Sequence, residues 1–139
     1  MRTVIHEKFE ITIFNPATRQ FEGGSYHAEI EVEGALTKHN IKLIQDVIDQ
    51  FDHSTVVPSH LISKDEVAKI SQRYTVVDNA IDFVDMLAGI ARTIVGEIAV
   101  NKIEIEELLS ITFYSDNFDA KYIFKPADLD KVSIEEHKS

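Results

Sequence analysis

Tyr26, Ala28, Ile30 and Val32 alternate with His27, Glu29, Glu31 and Glu33, and Gly34 ends the run. Strict period 2 of this kind is the mark of a β-strand with one apolar and one polar face. The apolar face must be buried, and the polar face must be solvated or line something wet. A weaker alternation precedes it, with Phe9, Ile11 and Ile13 set against Glu10, Thr12 and Phe14. Asn15-Pro16-Ala17-Thr18 supplies turn chemistry between the two strands, and Glu22-Gly23-Gly24-Ser25 ends the connection.

The period then changes. Ile41, Ile44, Val47, Ile48 and Phe51 sit at helical spacing, with Thr37 or Asn40 as the N-cap. Pro58 closes off the segment after Phe51. Ser63-Lys64-Asp65-Glu66 is a capping-box pattern ahead of a short helix that carries Val67 and Ile70. A longer helix is expected over about 79–95, with Ile81, Val84, Leu87, Ala88, Ala91 and Ile94 on one stripe and Gly96 as its stop. Period 2 returns where Ile103 and Ile105 alternate with Glu104 and Glu106, and Ile111 and Phe113 follow an irregularity at Glu107-Leu108-Leu109. Ser115-Asp116-Asn117 reads as a turn. Phe118, Ala120, Tyr122 and Phe124 form a last strand, which Pro126 ends.

This order predicts an α+β domain of the form ββααββ, an antiparallel four-stranded sheet with helices on one face. Residues 1–126 make a single domain, and 127–139 are a polar tail. With 139 residues, 44% of them hydrophobic and 27% charged, the chain buries a core without staples. It has no cysteine, which rules out disulfides, thiolate metal sites and cysteine nucleophiles. A formal charge of −10 disfavours binding to nucleic acid or anionic membrane. No apolar run reaches bilayer length, and Met1 to Lys8 lacks the apolar core of a secretion signal, so a cytoplasmic protein is expected.

The order of elements resembles the tunnelling fold, in which such sheets join side by side into an oligomeric barrel. Within it the chain resembles the 6-pyruvoyl and 6-carboxy tetrahydropterin synthase family. Gly24-Ser25-Tyr26-His27-Ala28-Glu29-Ile30-Glu31-Val32-Glu33-Gly34 resembles the family's second strand, which follows a His-Gly-His motif. Val47-Ile48-Asp49-Gln50-Phe51-Asp52-His53 resembles the end of its first helix with an Asp-His pair, and Asp85-Met86-Leu87-Ala88-Gly89-Ile90-Ala91 resembles its Glu-Asn-Leu-Ala helix segment. The resemblance spans about 9–122.

It implies a catalytic zinc on three histidines, one from the first strand and two from His-Gly-His, and a cysteine just before that motif. The chain departs from this. Glu22, Gly23 and Gly24 stand at the His-Gly-His positions, and the first-strand position falls near Ile13. A three-ligand zinc site needs neutral imidazoles, and a glycine offers no ligand. His27 points to the face opposite Tyr26 and cannot substitute. The resemblance therefore implies a family member without the zinc and cysteine chemistry, with no metal or other cofactor, that binds a pterin- or purine-like ligand.

Asp52 and His53 match the family's catalytic relay, in which the carboxylate orients the imidazole. The alternative reading is a turn cap and a histidine at a helix C-terminus. Glu107 matches a ligand-binding glutamate that ends a strand, where two oxygens take two parallel N–H donors. A competing register through Ile111-Thr112-Phe113-Tyr114-Ser115 has no glutamate, and a solvated acid is the plainer reading. Glu29, Glu31 and Glu33 read as a solvated stripe. His6, His39, His60 and His137 share no metal-ligand spacing.

Two other functions stay open. One is an active pterin-pathway lyase using Asp52 and His53. The other is a metal-independent enzyme similar to dihydroneopterin aldolase, whose strand ending in Lys-Pro Phe124-Lys125-Pro126 resembles. In each case the sheet edges predict a homo-oligomer joined edge to edge.

Overall fold

The computed structural model describes residues 1–61, 74–116 and 120–129. Six strands form one mixed sheet: β1 (Arg2–Asn15), β2 (Gln20–Glu33), β3 (Ser54–Pro58), β4 (Tyr74–Val77), β5 (Glu107–Ser115) and β6 (Lys121–Phe124). Two long helices, α1 (Lys38–Asp49) and α2 (Phe83–Val100), lie between them in sequence, and a 3-10 turn spans Ser59–Leu61. The sheet order is β4-β3-β1-β2-β5-β6.

This corrects the expected four-stranded antiparallel ββααββ sheet. β1, β2, β5 and β6 are antiparallel neighbours, but β3 runs parallel to β1, and β4 runs parallel to β3. β3 escaped notice because Ser54, Val56, Val57 and Pro58 are all buried, so its five residues show no alternation. The short helix expected after Ser63 lies outside the described residues.

β1 and β2 pair over fourteen positions, from Arg2 opposite Glu33 to Asn15 opposite Gln20. The turn at 16–19 is tied by the Arg19 N–H to the Asn15 carbonyl at 2.7 Å and by the Ala17 N–H to the Asn15 Oδ1 at 3.0 Å. Alternation in β2 falls as expected, with Ala28, Ile30 and Val32 fully buried. They join Ile5, Phe9, Ile11 and Ile13 of β1 in the core that both helices cover.

Thr37 is the N-cap of α1, its Oγ1 accepting the Asn40 N–H at 3.1 Å. α2 starts at Phe83 rather than 79, because Asp82 caps the Asp85 N–H at 2.8 Å and Asp85 in turn accepts the Ile81 N–H. Ile81 and Val84 are therefore exposed, and Met86, Leu87, Ile90, Ala91, Ile94 and Ile98 form the buried stripe. The helix runs through Gly96 to Val100. Gly89 sets the approach of α2 to β4, since a Cβ there would lie 2.3 Å from Val77 Cγ1.

Residues 103–106 are not a strand. Ile103 is buried and Ile105 half-buried in extended chain, and Glu107 opens β5 instead of ending a strand. The irregularity read at Glu107-Leu108-Leu109 is a register shift opposite Glu31 and Val32. Leu129 is buried in the core at the end of a helical turn over 126–129.

Candidate functional site

Parallel pairing of β3 on β1 brings the end of α1 to the middle of β1. Asp52 accepts the Glu10 backbone N–H on Oδ1 at 2.8 Å, and the His53 N–H donates to the Glu10 carbonyl at 2.6 Å. His53 adopts a left-handed backbone with φ 58, so the chain reverses there and enters β3 at once. Histidine is among the few non-glycine residues enriched in that region.

The His53 ring lies between two carboxylates. Its Nδ1 is 3.6 Å from Glu10 Oε2, and its Nε2 is 3.5 Å from Asp52 Oδ2. These are ion-pair separations rather than hydrogen bonds. The imidazole side chain is 73% exposed, so it reaches solvent.

This group stands on the wall of an open cleft of about 550 Å3 lined by Glu10, Ile11, Thr12, Gly24, Ser25, His53 and Thr55. That volume falls within the range of small-molecule sites, ~300–1,000 Å3. A Cβ on Gly24 would meet nothing within 4 Å. A second hollow of about 330 Å3, lined by Tyr26, Ser115 and Asp116 among others, shares Gly24 and Ser25 with the first.

Glu107 is not part of this cleft. It pairs with Glu33 at the far end of β2, whereas Glu10 pairs with Ser25. Eight residues of strand separate Ser25 from Glu33, about 27 Å at ~3.4 Å per residue. The carboxylate that follows the near end of β5 is Asp116, next to Ser115, which pairs with Tyr26.

The positions aligned with the zinc histidines do come together. Ile13 pairs with Glu22, and Ile11 pairs with Gly24. Ile13 is fully buried, and Glu22 Oε2 accepts from Asn15 Nδ2 at 3.0 Å. Two of the three positions carry no ligand atom, so the residues present do not fit the family's metal. Burial, with the nearby Glu22 carboxylate and Tyr122, pushes the Tyr26 phenol above its ordinary value.

Sequence reasoning missed Glu10, whose partners are 42 and 43 residues away. It also missed a polar cluster on the open face of the sheet, where His6, Lys8, His27, Glu29, Tyr114 and Asp116 converge from three strands. Spacing along one strand does not reveal such a group. Among the described residues no helix is long and apolar enough to cross a membrane. No protein-family model matches the chain, and no curated protein matches it significantly.

Proposed function

We propose that the chain is a tetrahydropterin synthase-like cytoplasmic protein that holds a pterin- or purine-type small molecule in the Glu10–Asp52–His53 cleft without the family's zinc and cysteine chemistry. The observation that carries this reading is the His53 ring, anchored by its backbone N–H to Glu10 and by the neighbouring Asp52 carboxylate on the Glu10 N–H, and flanked by two carboxylates on a ligand-sized cleft. Planar bicyclic heterocycles present N–H donors and ring acceptors along one edge. Glu10 accepts, the hydroxyls of Thr12, Ser25 and Thr55 do both, and His53 supplies a donor. The same arrangement supports a second reading, an acid-base lyase in which His53 moves the proton and Asp52 positions it.

The test is titration with neopterin, followed by the ligand's own fluorescence, and with guanine by calorimetry. Binding that weakens about tenfold or more in His53→Asn supports the proposal. No binding of either compound, or binding indifferent to Glu10 and His53, overturns it. Turnover of dihydroneopterin triphosphate that is lost in His53→Asn selects the lyase.

Assembly belongs to the same proposal, with one change of edge. β2 is internal, paired with β1 and β5, so it offers no edge to a neighbour. Among the described residues the outer strands are β4 and β6, which carry exposed Val76 and Ile123. Pairing of β4 on one subunit with β6 on the next is a head-to-tail contact, of the kind that builds a ring when its rotation closes.

A further inference from the structure

His6 Nε2 and His27 Nδ1 are 2.7 Å apart, and His27 Nε2 is 2.7 Å from Asp116 Oδ1. The three side chains come from β1, from β2 and from the residue after β5, so the chain of contacts crosses the open face of the sheet. We propose that His6, His27 and Asp116 form an acid-sensitive clasp, which holds while the two imidazoles share at most one extra proton and releases His6 when both are charged.

The contact depends on how many protons the facing ring nitrogens carry. Asp116 is an acceptor, so His27 carries a proton on Nε2. With both rings otherwise neutral, His27 Nδ1 is a lone pair and accepts from His6 Nε2–H. With one proton added, His27 becomes the cation beside Asp116, and its Nδ1–H donates to a lone pair on His6 Nε2. Both states keep the 2.7 Å contact. With two protons added, two N–H groups face each other across that distance, and the contact breaks.

The surroundings decide which ring leaves. Asp116 also accepts from Lys8 Nζ of β1 at 3.2 Å. Hydrogen bonds from His27 and Lys8 hold its carboxyl below the usual range, so it stays ionised where imidazoles ordinarily titrate. His27 is 13% exposed, stacked on Tyr114 of β5 with ring centroids 4.9 Å apart and planes within 3°. Glu29 of β2 pairs opposite His6 in register, and its Oε1 accepts from the Tyr114 hydroxyl at 2.9 Å. Lys121 of β6 pairs opposite Tyr114 and adds a positive charge to that side. His27 is thus braced from two strands, whereas His6 is exposed and stacks on Tyr114 only at 6.4 Å between centroids. Acid frees His6 and leaves His27 on Asp116.

The experiment follows Overhauser contacts between the two imidazole rings in the full chain from pH 8 to pH 5, with ring nitrogens labelled to report protonation. The contact is expected at pH 8, to persist after one ring is charged, and to vanish once both are. In His6→Gln the side-chain amide reaches as far as Nε2, offers either a donor or an acceptor, and does not titrate. Its contact to His27 is expected to survive to pH 5. A wild-type ring contact that persists with both rings charged overturns the clasp. So does its absence at pH 8, or an acid response in His6→Gln equal to that of wild type.

Discussion

Glu10 and Asp52 are joined by a hydrogen bond from the backbone of one to the carboxylate of the other, 42 residues apart in sequence and 2.8 Å apart in space. The bond seals the corner where α1 gives way to β3, and it also fixes His53 over the cleft. Asp52→Ala leaves the Glu10 N–H without this acceptor. The expected loss is about 1–2 kcal/mol of folding stability, read by urea denaturation. An unchanged midpoint would mean that water replaces the carboxylate without penalty.

His53→Asn separates site from scaffold. Asparagine tolerates the left-handed backbone, so the fold is expected to keep its stability within about 0.5 kcal/mol. Neopterin binding is expected to weaken. A large loss of stability instead would place the imidazole among the groups that hold the corner.

Gly89 and Val77 give a double-mutant cycle. Gly89→Ala drives a methyl into Val77 and is expected to destabilise by about 1–3 kcal/mol. Val77→Ala opens the space, so the pair of changes together should be less harmful than the sum of the two singles. Strict additivity in denaturation would show that α2 shifts away from β4 without strain.

Glu7 predicts a pH dependence. Burial, then the neighbouring carboxylates of Asp49 and Asp46, raise its pKa above 4.5, against a smaller opposing effect of Lys42. A raised acid binds its proton more tightly when folded, so stability is lost as pH rises from 4.5 through the folded value. Glu7→Gln is therefore expected to melt at a higher temperature than wild type at pH 7, and the gap should close below pH 4. A gap of the same size at both pH values would assign the gain to something other than ionisation.

Charges on the outer strands test assembly. Val76→Lys with Ile123→Lys is expected to convert a ring into monomers in light scattering at micromolar concentration and physiological salt. Wild-type protein that is already monomeric there refutes edge-to-edge assembly.

What the sequence made legible was the part governed by one-sided burial. β2 alternates because one face meets the core, and the α1 stripe and the Leu87, Ala88, Ala91 and Ile94 part of the α2 stripe follow for the same reason. β3 stayed hidden because four of its five residues are buried. Residues 103–106 misled in the opposite sense, since extended chain lying against the core alternates without belonging to the sheet. Of the site, Asp52 and His53 were singled out by resemblance; His53 lines a cleft with Glu10, and Asp52 bonds to the Glu10 backbone beside it. Glu107 is distant from them, because the register of β5 puts it beside Glu33. The His6–His27–Asp116 contacts arise only once three strands are in register, so no spacing rule reaches them.

The place of β2 also bears on how the chain is made. Its pairing with β1 closes over a four-residue turn, at 16–19, so this hairpin can form as soon as both strands leave the ribosome. Its other edge must wait for β5. β2 ends at Glu33 and β5 begins at Glu107, and at ~5–20 residues per second the delay is on the order of 4–15 s. For that interval the nascent chain shows a long unpaired strand edge with an apolar face, before α2 and β5 exist to cover it. Crowded nascent chains on one messenger would meet each other through that edge, so slow translation of the segment between β2 and β5 should lower the yield of folded protein more than slow translation elsewhere.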